Sequence, residues 1–230
     1  MTHTTPTRAT RRSVVRTGAW AVPVVATAVA SPAYAVTSGC TRRGEGALVA
    51  DDDGVVTSLT FPGGVSAVVE YAKHNGPTVL DPFDGETGHE FETDYGTPWS
   101  YLRLHHPEGM EQGDTLTLTI TFSEPVTNLA FTVTDIDQYR GQWDDRVSLA
   151  PESFAVTAKG RRVTGSGTSA DPFRSNQKGN IDSASGDVSV VWPGTIQVLT
   201  LTYVAADEDN TSDIGQMIGI GRFGYDSCAS

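Results

Sequence analysis

The sequence is short of basic residues, and after residue 35 it contains no apolar run that could cross a membrane. Its 230 residues include 16 Lys and Arg against 28 Asp and Glu, which gives a formal net charge of −12. An acidic surface repels nucleic-acid phosphates and anionic lipid headgroups. A membrane-spanning helix needs about 20 mostly apolar residues. The composition therefore predicts no nucleic-acid partner and no membrane span.

The sequence motifs of the common enzyme classes are absent as well. The chain has no G-x-S-x-G nucleophile motif, no phosphate-binding P-loop and no dinucleotide fingerprint after a strand pattern. No window shows sustained helical periodicity with capping residues. No catalytic residue is therefore assigned. A glycosidase nevertheless needs only two opposed carboxylates, and 28 acidic residues leave that possibility open.

Residues 1–35 have the pattern of a cleaved export signal. "TRRSVVR" (10–16) precedes the uncharged run "TGAWAVPVVATAVA" and then "SPAYA", which ends in an A-x-A cleavage site. The pattern predicts a secreted protein, extracellular or associated with the cell envelope. Its mature part would be a single domain, residues 36–230, which is long enough to bury a proper core.

The basic part of this signal resembles the twin-arginine export signal. A hydroxyl residue, two arginines, two apolar residues and a further basic residue occupy the expected places in "TRRSVVR" (10–16). The resemblance implies that the protein crosses the membrane already folded. The alternative is a general secretory signal in which the arginine pair occurs by chance.

The chain has two cysteines, Cys40 and Cys228, near opposite ends of the mature part. Cysteines of exported proteins meet an oxidising compartment, which predicts one disulfide between the first and last segments. The alternative is a pair of reactive thiols.

The residue pattern after position 36 is that of an all-β protein. "TLTLTITF" (115–122) and "TIQVLTLTYVA" (195–205) alternate apolar residues with threonines, as strands with one buried face do. Gly, Pro, Asp and Ser punctuate the chain between such runs. We therefore expect a β-sandwich or jelly roll of about ten short antiparallel strands. The polar run 160–187 is predicted to be a mobile surface loop with a hairpin.

One segment resembles a group of exported β-sandwich proteins, many of them actinobacterial. In "LTLTITFSEPVTNLAFTVTDID" (116–137), an alternating strand leads into F-S-x-P-V-x-N, an apolar strand and D-I-D. The closing "IGIGRFGYDSC" (218–228) is similar to the last strand and terminal cysteine of that group. The resemblance implies the fold and a surface-associated or adhesive setting. The function of the group is poorly defined, so no activity follows.

This segment, 116–137, ends in acidic residues. If the alternation of "FTVTDID" (131–137) continues, Asp135 and Asp137 share one strand face, where their charges repel unless a cation lies between them. Calcium binds six to eight oxygens, and Asp144 with Asp145 in one following loop would add ligands. The sequence therefore predicts calcium at this end of the domain. The alternatives are that the strand ends at Thr134 and the acids form a turn, or that they are a catalytic pair.

A second acidic segment, "ADEDNTSD" (206–213), has oxygen-bearing residues at every second position. Ser212 and Ile218 stand where a helix-loop-helix calcium site needs glycine and glutamate, so the segment does not match that motif. Asp207 and Asp209 are expected to share an ion with the first acidic group. The alternative is a solvated loop.

Aromatic residues occur among acids in "LDPFDGETGHEFETDYGTPWSYLRLHH" (80–106). Trp99, with Tyr139 and Trp143, could form a carbohydrate-binding platform, because sugar C–H faces stack on rings. The alternative is that these rings fill the core. A zinc site made from His89, Glu90, His105 and His106 is a further alternative, although the helical H-E-x-x-H pattern is missing.

The sequence as a whole predicts a secreted, non-catalytic binding or surface-associated module, stabilised by calcium, whose partner is a carbohydrate or a cell-envelope component. The first alternative is an extracellular carbohydrate-active hydrolase of jelly-roll type. The second is a structural protein of the cell envelope.

Overall fold

The computed structural model describes residues 40–42, 44–52, 54–74, 87–89, 100–106, 112–139, 143–178, 183–206 and 216–228. The chain divides into two units, Met1–Ala35 and Val36–Ser230. The first unit, with the predicted export signal, lies outside the described residues. All the described residues belong to the second unit.

The described residues form β-strands and one three-residue 3-10 turn, Ala184–Gly186, and contain no α-helix. The strands are β1 Cys40–Arg42, β2 Ala47–Ala50, β3 Val56–Thr60, β4 Ser66–His74, β5 Thr87–His89, β6 Ser100–His106, β7 Thr115–Thr134, β8 Gln138–Tyr139, β9 Trp143–Ala150, β10 Ala155–Lys159, β11 Val163–Thr164, β12 Phe173–Ser175, β13 Val188–Val191, β14 Thr195–Ala205 and β15 Gln216–Cys228. The ladders between these strands are antiparallel. The all-β prediction is confirmed. Within the described residues, no helix is long and apolar enough to span a membrane.

The 20-residue strand β7 belongs to two parts of the sheet. Its first half pairs with β4 on one side and β14 on the other. Its second half pairs with β13 and β15. The first half-sheet therefore has the order β2-β3-β4-β7-β14-β9-β12-β11, and the second has the order β10-β13-β7-β15-β6-β5. The strands are more numerous and more unequal in length than the ten short ones expected.

The two half-sheets share one hydrophobic core, which makes the fold sandwich-like. Phe61, which follows β3, packs 5.9 Å from the ring of Phe122 in β7 and 5.3 Å from Tyr225 in β15. Phe131 lies 5.3 Å from Phe223. The apolar residues of "TLTLTITF" are all buried and the threonines between them are partly exposed, as the alternation predicts.

The crossover between the half-sheets lies at Pro125, where the sequence suggests a break in the ladder. Thr121 pairs with Val198 of β14, while Val126 pairs with Ile196, so the ladder skips several residues of β7. Proline has no N–H to donate to a ladder. The chain accordingly stays extended through Pro125 but changes partners there.

The polar run 160–187 contains the expected hairpin, formed by β11 and β12. β12 also pairs with β9, and Phe173 within it is fully buried. Gly167 has a positive φ of 80° and lies so close to the Phe173 ring that a Cβ would not fit. The hairpin is thus an extension of the first half-sheet. Its mobility stays a prediction.

The backbone places Cys40 directly opposite Cys228 in the β1–β15 ladder. Directly opposed residues of antiparallel strands have Cα atoms roughly 4.5–5.5 Å apart, which lies within the range that a disulfide spans. The register is therefore compatible with the expected bond between the chain ends, which stays a prediction.

Candidate functional site

The candidate site begins where β7 ends. The strand stops at Thr134, and Asp135 has a positive φ of 63°. Aspartate is one of the few residue types that adopt this left-handed conformation readily. The alternation therefore does not continue, and the expectation that Asp135 and Asp137 share a strand face is wrong. The strand ends at Thr134, as in the alternative interpretation, and residues 135–137, called the turn below, follow it.

The segment 184–187 holds this turn from one side. The Ile136 amide donates to the carbonyl of Gly186 over 3.0 Å, and the Thr134 hydroxyl donates to Oδ1 of Asp187 over 2.7 Å. Ile136 itself is fully buried. The turn is therefore anchored both by an apolar side chain and by polar contacts to a distant part of the sequence.

Strand β9 holds the turn from the other side through Asp145. The Asp137 amide donates to Oδ2 of Asp145 over 2.9 Å, and the Asp145 amide donates to the Asp137 carbonyl over 3.0 Å. The Tyr203 hydroxyl donates to Oδ1 of Asp145 over 2.5 Å. The Trp143 indole N–H donates to Oδ1 of Asp137. The cluster of Asp137, Trp143, Asp145 and Tyr203 is called the turn anchor below.

Burial controls the protonation of Asp145 and Tyr203. Asp145 is fully buried, and this desolvation raises its pKa well above the usual value of 3.8. The nearby Asp137 charge adds to the rise, which the hydrogen bonds from Tyr203 and the Asp137 amide only partly offset. Burial and the Asp145 carboxylate likewise raise the pKa of Tyr203 above 10.0. Both groups therefore favour their neutral forms.

Asp144 lies outside the turn anchor. It is in β9 rather than in a loop, and successive strand residues point to opposite faces, so it faces away from Asp145. Its Oδ2 accepts from the guanidinium of Arg146 at 2.9 Å. Its Oδ1 is buried and has no hydrogen-bond partner. Its carbonyl accepts from the amide of Ala206 over 3.2 Å, at the start of the second acidic segment.

The calcium ligands expected from the sequence are not brought together by the described residues. In that part of the chain, no group of three or more His, Cys, Asp or Glu side chains could hold a metal ion. One carboxylate oxygen of Asp137 accepts from the Trp143 indole, whereas the Asp144 carboxylate accepts from Arg146. Asp207 and Asp209 lie outside the described residues. Calcium binding by the full expected set therefore stays a prediction.

The histidines considered for zinc are separated along β6. His89 of β5 pairs with Ser100, at the opposite end of β6 from His106. Six residues of extended strand span about 20 Å. His89 and His106 therefore cannot bind one ion. Glu90 lies outside the described residues.

Two of the three residues expected to form a carbohydrate platform lie together. Tyr139 pairs with Trp143 across β8 and β9, with ring centroids 5.1 Å apart. The Lys178 ammonium lies 4.4 Å from the centroid of the Tyr139 ring and 5.3 Å from that of Trp143. Tyr139 remains 40% exposed. Trp99 lies outside the described residues.

Sequence reasoning missed Lys178, Tyr203 and Asp187 as parts of this region. The Gln138 amide donates to the Gln177 carbonyl over 3.1 Å, which brings Lys178 to the aromatic pair. These residues are remote in sequence from the acidic turn, and no local pattern indicates that they meet it. The alternation of residues 195–205 places Tyr203 on the buried face of its strand, but it does not indicate which residue the hydroxyl contacts.

The arrangement has a buried polar part and an exposed aromatic part. Its most buried carboxyl group, that of Asp145, has hydrogen bonds at both oxygens and no exposure to solvent. Its exposed part is an aromatic pair with a cation above it. No family model, no curated protein and no solved structure matches this chain.

Proposed function

We propose that this chain is a non-catalytic extracellular binding module that attaches to a carbohydrate of the cell envelope through Tyr139, Trp143 and Lys178. The observation that carries the proposal is the exposure of the Tyr139 ring. Tyr139 is the only aromatic among the exposed large hydrophobic side chains of the described residues. An exposed ring beside a second ring offers a flat apolar surface to the C–H face of a sugar.

The position of Lys178 favours an anionic polymer over a neutral one. Its ammonium group lies against both rings, in a chain whose formal net charge is −12. A single cation on a binding surface of an acidic protein can pair with a carboxylate or phosphate group of the ligand. Acidic envelope polysaccharides have both features, a sugar face and a charge.

The turn anchor fits a supporting role in this module. The indole N–H of Trp143 is held by Asp137, and Asp137 is held by Asp145. This chain of contacts fixes the ring pair on the β8–β9 hairpin, which lowers the entropy lost when a ligand binds.

The hydrolase alternative is less well supported. A glycosidase places two carboxyl groups on either side of the sugar, roughly 5–10 Å apart and open to the cleft. Asp145 is fully buried, Asp137 is 7% exposed, and the Asp145 carboxyl already accepts from the Asp137 amide. Neither is available to a glycosidic oxygen.

A sedimentation assay with insoluble envelope polysaccharide tests the proposal. The native protein is expected to bind, and Tyr139→Ala and Lys178→Ala are each expected to weaken binding. Val198→Ala is the matched control, since it removes a side chain of similar exposure, 46%, from another strand. Unchanged binding by a folded Tyr139→Ala variant would reject the site. Release of reducing sugar from the same polysaccharide would favour the hydrolase.

A further inference from the structure

The second half-sheet contains a pocket of about 310 Å³, where β10, β13, β7 and β15 lie side by side. The polar side chains and the glycine that line it are Thr132, Lys159, Gly160, Asp187, Ser189 and Arg222. This volume is near the lower end of the range for small-molecule sites, roughly 300–1,000 Å³. The pocket therefore suits a single sugar-sized molecule better than a polymer.

Main-chain contacts fix the walls of the pocket. The Gly160 amide donates to the Asp187 carbonyl over 2.7 Å, and the Arg162 amide donates to the Ser185 carbonyl over 3.1 Å. Gly160 lies so close to the carbonyls of Ala184 and Ser185 that a Cβ would not fit. The two walls are thus joined in a fixed arrangement, as expected of a preformed site.

A pair of hydroxyl groups lines the same pocket. Thr132 and Ser189 are directly opposed in the β13–β7 ladder, and their hydroxyl oxygens are 2.9 Å apart. Only one of the two protons is needed for the bond between them. The other can be donated to a ligand oxygen, and the lone pairs remain as acceptors.

Arg222 has an unusual backbone conformation at the edge of the pocket. Its φ is 57°, in the region that favours glycine, and the β15–β7 ladder shifts register between Gly221 and Gly224. The other two non-glycine residues with positive φ among those described are Asn128 and Asp135, whose types tolerate this conformation. A strained arginine whose side chain lines a pocket is typical of a functional position.

Two cationic side chains, Lys159 and Arg222, give the pocket a positive character that the chain as a whole lacks. The Lys159 ammonium donates to the Gly165 carbonyl over 3.1 Å, which uses one of its three donors. Asp187 is 6% exposed and accepts from the Thr134 hydroxyl. The Asp187 carboxylate repels a ligand that has two neighbouring acidic groups. The pocket therefore favours a ligand with a single acidic group.

We propose that this pocket binds a small hydroxylated monocarboxylate of the hexuronic-acid class. Arg222 and Lys159 bind the carboxylate, and Thr132 and Ser189 bind the hydroxyl groups. This site does not depend on the proposed function of Tyr139 and Trp143, and it is composed of different residues.

Titration with sodium D-glucuronate, followed by NMR chemical shifts, tests the inference. D-Glucose is the neutral probe of similar size. The native protein is expected to bind glucuronate in the millimolar range or tighter, and glucose at least about tenfold more weakly, the effect of one lost charge-assisted contact.

The variants separate the pocket from other sites. Arg222→Gly removes the guanidinium and accepts the positive φ without strain, so this variant is expected to fold. It and Lys159→Ala are each expected to weaken glucuronate binding by about tenfold. Arg161→Ala, an exposed cation outside the lining, and Tyr139→Ala are the controls and should bind as the native protein does. Equal binding of glucose and glucuronate, native-like binding by folded Arg222→Gly, or no shift at millimolar glucuronate would each overturn the inference.

Discussion

The hydroxyl of Tyr203 donates to the buried carboxyl of Asp145 over 2.5 Å, and the other oxygen of that carboxyl accepts from the Asp137 amide. Asp145 therefore joins β14 to the turn that follows β7. This contact explains why acids follow a core strand. They fix a turn that carries the exposed ring pair.

The first prediction concerns the pH dependence of stability. The folded-state pKa of Asp145 lies above its usual value of 3.8 because the group is buried beside Asp137. Its contribution to stability is complete below pH 3.8 and is lost as the pH rises through the raised pKa. Asp145→Asn stays neutral at every pH, accepts from the Asp137 amide and donates to Tyr203. We expect this variant to gain stability relative to the native protein as the pH rises.

Urea unfolding at several pH values checks this expectation. Glu70→Gln, on an exposed position of β4, is the control, since it removes the same charge from the surface. A constant stability difference between Asp145→Asn and the native protein across the pH series would contradict the raised pKa.

The second prediction concerns the hydrogen bonds of the turn anchor. Asp145→Leu deprives the buried Asp137 amide and the Tyr203 hydroxyl of this partner, at a cost of about 1–3 kcal/mol for each group. Tyr203→Phe removes only one of the two bonds and should cost less. Equilibrium unfolding of both variants gives the comparison. A Leu variant as stable as the Phe variant would mean that the contact to the turn contributes nothing.

The third prediction concerns the hairpin of residues 163–175. Phe173→Ala removes a fully buried ring and should lower the free energy of unfolding by about 3–5 kcal/mol. Val156→Ala, at a 40% exposed position of β10, should change it by less than about 0.5 kcal/mol. If both substitutions had the same small effect, the hairpin would not be packed on the first half-sheet.

The fourth prediction concerns the two cysteines. The opposed positions of Cys40 and Cys228 predict a disulfide in the exported protein. In the chain-entropy model, closing so long a loop stabilises the fold by about 5 kcal/mol. Intact mass after alkylation, with and without reductant, detects the bond. Alkylation of both thiols without reductant would show that it is absent.

The fifth prediction concerns calcium. If Asp207 and Asp209 supply ligands, the melting temperature of the native protein should rise in millimolar calcium over EDTA, and magnesium should not reproduce the rise. Asp207→Asn with Asp209→Asn should remove the effect. Coincident melting curves in calcium and EDTA would exclude a stabilising calcium ion at those concentrations.

The strands were predictable where the pattern is local. The threonine alternation of residues 115–122 and 195–205 defines two strands that the structure contains, and the second has the same boundaries. The extent of β7 was not predictable, because proline usually ends a ladder. The chain continues through Pro125 since it exchanges one set of neighbours for another there.

The candidate site was predictable only in its local parts. The turn and the ring pair come from "DIDQYRGQW", residues 135–143, where the members are close in sequence. Tyr203 lies 58 positions from Asp145, and Asp187 lies 53 positions from Thr134. Such contacts depend on how the half-sheets pack, so a local pattern cannot indicate them. Asp144 was grouped with Asp137 because the two are close in sequence, although alternation in β9 turns it to the face opposite Asp145.

The most direct test of this account is one binding isotherm on envelope polysaccharide for the native protein, Tyr139→Ala and Asp145→Asn. In the proposed function the ring pair recognises the ligand and the acids support the ring pair. Tyr139→Ala is expected to lose affinity, while Asp145→Asn, whose amide can accept from the Asp137 amide and donate to Tyr203, is expected to bind as the native protein does. Retained affinity in Tyr139→Ala together with its loss in Asp145→Asn would contradict the account and make the buried acid the functional group.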